Sequence, residues 1–151
     1  MSVASVSNTA LKWDYPNPHI IKVRVENKHI DMIGHVNNVV YLRWLEKVAW
    51  HHSEHLGMDW AAYEKAGRAM VARKHELDYL VAAFENDDLQ IATWIIENDQ
   101  KVSIKRYYQI IREADGLTLM RASTRWVCID IKAGKARRMP DNFVRAYQTS
   151  I

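Results

Sequence analysis

The chain is poor in the features that mark secreted, membrane-spanning or unstructured proteins. Its single cysteine, Cys128, excludes an internal disulfide, and the apolar strand pattern around it predicts a buried, inert thiol. Five glycines and three prolines in 151 residues leave no linker-like stretch. No segment approaches the ~18 consecutive apolar residues of a membrane span. The opening "MSVASVSNTALKWDYPNPH" lacks the basic start and continuous apolar core of a secretory signal. A cytoplasmic protein with no membrane partner is therefore expected. Charge of one sign is not concentrated either, since 21 Lys and Arg and 18 Asp and Glu are interspersed, giving a net charge of +3. A nucleic-acid module would show a basic stripe with interleaved aromatics. The nearest match, "IKRYYQIIR", alternates as a strand and has acids close behind it, so no nucleic-acid partner is expected.

What is present is a folded-domain composition, 48% hydrophobic and 26% charged, with six tryptophans. This length suits one domain, with residues 1–18 as an N-terminal tail and 19–151 as the folded unit. "HIIKVRVE" alternates with period 2, placing Ile21, Val23 and Val25 on one face of a strand. From Val40 the apolar positions Tyr41, Trp44, Leu45, Val48, Ala49 and Leu56 keep to one helical stripe that stops near Gly57. A short helix through "DWAAYEKAG" is followed by four strand patterns, "AMVARKHELDYL", "LQIATWIIEN", "KVSIKRYYQIIREA" and "LTLMRASTRWVCIDI". Short turn-forming connections between them predict an antiparallel meander, and a last short helix follows Pro140. The fold class is α+β, with one five-stranded, mainly antiparallel sheet packed on one long helix.

The stretch "HIDMIGHVNNVVYLRWLE", His29 to Glu46, crowds polar groups at the entrance to that helix. Asn37 and Asn38 stand at its start, where side chains cap orphan N–H groups and the dipole makes the end locally positive. Such an end suits an oxyanion. Asp31 lies on the loop leading in, and Gly34 permits a tight backbone turn. Carboxylate and N–H donors are thereby expected to face one another across a reacting carbonyl. A purely structural account remains beside this one: Asp31 caps a turn, the asparagines cap the helix, and Glu46 pairs with Arg43 or Lys47.

At these residues the sequence resembles the hotdog-fold acyl-CoA thioesterases of the 4-hydroxybenzoyl-CoA thioesterase type. Asp31, Gly34, His35, Val36, Asn37, Asn38, Tyr41 and Glu46 are all in register with that signature. More weakly, "ELDYLVAAFENDDL" matches at Asp78, Tyr79 and Asp87, and "GKARRMP" matches at Arg138 and Pro140. The chain departs from the pattern at Asn27, His29, Ala82 and Asn86. The resemblance implies a hotdog fold and hydrolysis of an acyl-CoA without metal or cofactor. Asp31 would be nucleophile or general base, and the helix start at Asn38 the oxyanion site. A catalytically silent hotdog domain that only binds an acyl thioester or serves assembly is the alternative.

Further site residues are expectations of lesser reach. The aromatic wall of an acyl pocket would draw on Tyr41, Trp50 and Tyr79, with Trp44, Trp60, Trp94 and Trp126 as other candidates for wall or core. It would suit an aryl group, an acyl chain or a quaternary ammonium. Arg73, Lys74, Arg106, Arg137 and Arg138 are candidates for the CoA phosphates, the last two supported by the family-like ending. "HHSEH" places His51, Glu54 and His55 in the order of an inverted zinc-protease motif, but without a third ligand a solvated, protonatable helix face is expected. Exposed strand edges predict a homodimer or homotetramer with the site at a subunit boundary.

Overall fold

The computed structural model describes residues 10–151. In chain order it contains β1 (His19–Arg24), a 3-10 turn at Asn27–His29, α1 (Asn38–His55) and α2 (Trp60–Ala66). Then come β2 (Arg68–Tyr79), β3 (Asp88–Asn98), β4 (Ser103–Arg112), β5 (Thr118–Asp130) and α3 (Asp141–Ala146). Apart from the 3-10 turn, which periodicity does not predict, each falls within two residues of the segment expected for it.

The five strands form one sheet in the order β1-β3-β4-β5-β2, with every neighbouring pair antiparallel. The expected four-strand meander is thus only partly right. β3, β4 and β5 follow one another, but β2 pairs with β5 on the far side and β1 takes the free edge of β3. The connection 80–87 makes the difference, because it crosses the sheet beneath the helix start instead of turning back as a hairpin. It is held on one side by Leu80 and Val81 N–H groups donating to Leu119 O, and on the other by Val25 N–H donating to Asp87 O. In the middle, Ala83 N–H donates to the Tyr41 hydroxyl at 3.1 Å.

The stripe on α1 lies against the inner face of the sheet. Val40, Tyr41, Trp44, Leu45, Val48 and Ala49 pack on Leu89 and Ile91 of β3, Tyr108 and Ile110 of β4, and Met120 and Ala122 of β5. Each fully buried aliphatic side chain here contributes roughly 1.5–3 kcal/mol by removal from water. A second cluster closes the far end, where Met58, Tyr63, Met70, Ile104, Phe143 and Tyr147 meet. Cys128 sits inside it, and burial pushes its thiol pKa up, in keeping with the inert role expected of it.

The outer face carries an apolar residue that needs cover, and residues 10–18 supply it. Trp94 is fully buried there beneath Trp13 and Tyr15, whose rings meet it edge-on at 6.1 and 5.7 Å. Its indole N–H donates to Pro16 O at 2.9 Å. Asp14 accepts from Arg121 Nε at 2.8 Å and from the Tyr107 hydroxyl at 2.7 Å, and the Arg121 partner holds its carboxyl below the usual range. This part of the stretch set apart as a tail is therefore packed; residues 1–9 lie outside the described residues.

Candidate active site

The loop into α1 is built from its own polar groups. Asp31 Oδ1 accepts the N–H of Ile33 at 3.0 Å and of His35 at 3.4 Å, closing a tight turn. The main chain reinforces it, with Asp31 N–H donating to His35 O and Gly34 N–H to Asp31 O. Gly34 has φ +84°, a left-handed conformation that costs glycine little and strains residues with a Cβ. One carboxylate oxygen thus does the structural work foreseen for Asp31, while Oδ2 makes no hydrogen bond to any described residue.

Asn37 is the N-cap, its Oδ1 accepting Val39 N–H at 3.0 Å. Asn38 is the first helical residue, exposed, and its N–H is one of the orphan donors that every helix start presents. Tyr79, from the end of β2, donates its hydroxyl to Asn38 O at 3.1 Å and so stands at the entrance of its own chain. Tyr41 is buried beneath it, ring centroids 5.4 Å apart, and supports the crossing connection. His35 is half-buried and meets Phe84 edge-on at 5.2 Å. Of the departures from the family pattern, His29 is absorbed locally: its Nδ1 accepts Glu26 N–H at 2.9 Å, and its ring meets Trp44 edge-on at 5.2 Å. Around this entrance Met32, Ile33, Val39, Leu80, Val81 and Phe84 are all exposed, Met32 at 102% of its reference area.

A different set of groups lines a cavity of about 220 Å³ between the second half of α1 and the sheet. Glu46, Trp50 and Ser53 line it from α1, Tyr63 from α2, and Arg106 and Trp126 from β4 and β5. Glu46, the ninth residue of α1, lies about 12 Å along the axis from Asn38, and Trp50 about 18 Å. Trp50 therefore lines this cavity and not the entrance of its own chain. Glu46 forms none of the ion pairs among the described residues, so the expected pairing with Arg43 or Lys47 is not what it does. Of the other tryptophans, Trp44 is core and Trp60 is exposed on α2.

The cationic candidates are scattered. Arg73 and Lys74 are exposed on the edge strand β2. Arg106 is only 2% exposed and points inward, so it is no phosphate ligand at the surface. Arg137 and Arg138 are exposed beyond β5, Arg137 lying 3.9 Å from Asp130. The β2–β5 register runs from Tyr79 opposite Met120 to Arg68 opposite Asp130, which separates that end from the helix entrance by about 35 Å of strand. Within one chain the arginines and Asp31 do not share a site.

The histidine-rich stretch leaves His51, Glu54 and His55 exposed, as a solvated helix face would, but buries His52 between them and the sheet. His19, from β1, donates to or accepts from His51 at 2.7 Å, stacks on His52 at 4.6 Å, and lies 5.5 Å from His55. His52 is buried with Nδ1 2.7 Å from Arg106 Nη1. Burial, with Arg106 and the neighbouring histidines adding to it, depresses His52 to about 3; burial and the other histidines depress His19 to about 4. Among the described residues no group of three or more His, Cys, Asp or Glu could hold a metal ion. Deeper still, the Ser53, Tyr147 and Tyr63 hydroxyls form a hydrogen-bonded chain. These partners lie 84 to 94 residues apart in sequence, which is why local patterns did not disclose them. Arg106 did leave a signal: it falls on the inward parity of β4 with Ile104, Tyr108 and Ile110.

A five-stranded antiparallel sheet packed on one long helix, with a polar loop at the helix start, defines a protein of the hotdog fold. Residues 25–147 match the thioesterase-like superfamily, and the chain belongs to that family of thioester hydrolases. It is 29% identical over 116 residues to the long-chain acyl-CoA thioesterase FadM of Escherichia coli (strain K12), covering 76% of this chain and 86% of that one. Among solved structures it is similar to the probable thioesterase YbaW of Escherichia coli, with TM-score 0.74, 26% identity, and 86% and 99% of the two chains covered. Slr0204, a 1,4-dihydroxy-2-naphthoyl-CoA thioesterase from Synechocystis, shares the fold at TM-score 0.77 and 18% identity over 87% and 96% of the chains. Among the described residues no helix is long and apolar enough to cross a membrane.

Proposed function

We propose that the protein hydrolyses the thioester of an acyl-CoA to free acid and CoA, with Asp31 as the reacting carboxylate and the Asn38 N–H as oxyanion donor. The observation that carries this reading is the pairing of a carboxylate whose Oδ2 is uncommitted with an exposed helix start whose N–H groups are orphaned. The dipole adds to the polarisation of a carbonyl placed there. Asp31 Oδ2 then either attacks the carbonyl carbon, forming a mixed anhydride that water cleaves, or takes a proton from the attacking water. In both routes CoA leaves as the thiolate. His35 and Asn37 shape the turn, Gly34 permits it, and Tyr79 over Tyr41 forms one wall.

The same reading includes a homodimer or homotetramer. The apolar rim around the entrance is continuous with the edge of β2, and a two-fold partner paired antiparallel along that edge would cover it. Such pairing sets the Arg68 end of one β2 beside the Tyr79 end of the other, so Arg137 and Arg138 of a second copy approach the entrance and its CoA phosphates. A thiol-release screen over short, branched, aromatic, long-chain and cationic acyl-CoAs tests the activity. Light scattering with the same assay across a dilution series tests the assembly, and a fully active monomer overturns it. Absence of thiol release from every ester, with acyl-CoA still bound, favours the silent binding domain.

A further inference from the structure

Arg106 is buried on the inner face of the sheet without a carboxylate. Its Nη1 is 2.7 Å from His52 Nδ1 and 3.4 Å from Thr93 Oγ1, both neutral groups, and its Nε has no hydrogen-bond partner. Its Nη2 donates to no described residue, and Arg106 forms none of the ion pairs among them. A guanidinium stays protonated, and an arginine is almost never fully buried without a counter-charge. Isolated burial of a charge costs several kcal/mol or more. The residue nonetheless lines the 220 Å³ cavity, whose other polar groups are the mutually hydrogen-bonded hydroxyls of Ser53, Tyr63 and Tyr147, the unpartnered indole N–H of Trp126 and, from the exposed side of α1, Glu46. The remaining walls are Trp50, Trp126, Met70 and Ile104. A largely apolar cavity that holds a cation without an ion pair suits the end of a chain that is greasy along its length and anionic at its tip.

We infer that this cavity binds the distal carboxylate of an ω-carboxyl acyl group, so that the preferred substrates are CoA monothioesters of dicarboxylic acids. The inference rests on the thioesterase reading for its chemistry, but the site itself is a binding site for a carboxylate. Two measures of reach agree. Glu46, on the cavity wall, lies about 12 Å along α1 from Asn38. Arg106 is paired with Thr124, which faces His75, four residues along β2 from Tyr79, or about 13 Å. An extended chain advances ~1.2 Å per bond, so a thioester carbonyl at Asn38 and a carboxylate at Arg106 are joined by roughly ten bonds. The cavity is smaller than the roughly 300–1,000 Å³ that encloses drug-sized ligands, which fits the end of such a chain and not a bulky polycyclic group. A quaternary ammonium tip, which the aromatic walls alone would suit, is repelled by Arg106.

The test compares thiol release from sebacyl- and dodecanedioyl-CoA monothioesters with decanoyl- and dodecanoyl-CoA and with a trimethylammonium-tipped acyl-CoA of equal length. Calorimetric titration of the unmodified protein with free suberate and with neutral octanamide accompanies it. The expected result is a kcat/KM for the ω-carboxyl esters at least about tenfold above the neutral ones, carried by KM, with suberate binding and octanamide not. Arg106→Gln should erase that preference, and Arg106→Lys should restore part of it. Should neither variant fold, the titration of the unmodified protein decides. Suberate bound without turnover of any ester supports the carboxylate site and sinks the thioesterase reading. Equal or faster release from the neutral or cationic esters, with no suberate binding, overturns the carboxylate site and leaves the thioesterase reading standing.

Discussion

The two ends of α1 solve opposite problems with similar residues. At its start the polar groups are exposed and serve one another over a few residues: Asp31 binds its own turn, Asn37 caps, and Asn38 holds an orphan N–H open to solvent. At its far half the polar groups are buried and serve one another across the fold, as His52 with Arg106 and Ser53 with Tyr147 and Tyr63. The first end is open to incoming chemistry because water already satisfies it. The second is a low-dielectric pocket in which an unpaired group is costly and therefore selective.

The sharpest way to break this contrast is at Asp31. Asp31→Asn keeps an oxygen for the turn but removes the negative charge, and kcat should fall by about 10²–10⁴ with an unchanged circular dichroism spectrum. Single turnover in ¹⁸O-water, followed by mass analysis of the Asp31 peptide, identifies the nucleophilic route by label in the carboxylate, which enters when water cleaves the anhydride at the Asp31 carbonyl. A well-folded Asp31→Asn protein with wild-type turnover would make the entrance merely structural.

The far end should show itself in pH. His19 and His52 are held near 4 and near 3 against an unfolded value of about 6.5, so the unfolded chain binds more protons between those limits. Their neutral forms contribute stability in full above about 6.5, and it is lost as pH falls toward 4 and then 3. Denaturant midpoints measured from pH 7.5 to 4 should drop accordingly, and His19→Phe should flatten the drop.

Smaller effects follow at single hydrogen bonds. Tyr147→Phe leaves the Tyr63 hydroxyl and Ser53 without their shared partner and should cost about 1–3 kcal/mol in urea melts. Asn37→Ala should cost about 1 kcal/mol as the loss of a cap. Asn38→Ala should change little in either stability or turnover, because the group that matters there is main chain. A loss from Asn38→Ala exceeding that from Asp31→Asn would reverse the assignment of roles at the entrance.

The elements, the central helix and the resemblance at its entrance were legible because each is carried by neighbours in sequence. Period 2 and period 3.6 disclose which face is buried, and the residues from Asp31 to Asn38 lie within one turn and one helix cap, whose chemistry is local. Tertiary structure decided what depends on distant segments. It sent the connection 80–87 across the sheet, so that β2 pairs with β5; no local pattern specifies which edge a strand will join. It moved Trp50 away from Asp31, since eighteen ångströms of helix, about what twelve residues span, cannot be folded back. It laid His19 against the exposed "HHSEH" turn of α1, pairing it with His51 and stacking it on the buried His52. And it set Arg106 on an inward position without an ion pair among the described residues, where the sequence shows only another arginine among twenty-one basic residues, because the absence of a partner is a property of the whole packed interior and not of any segment.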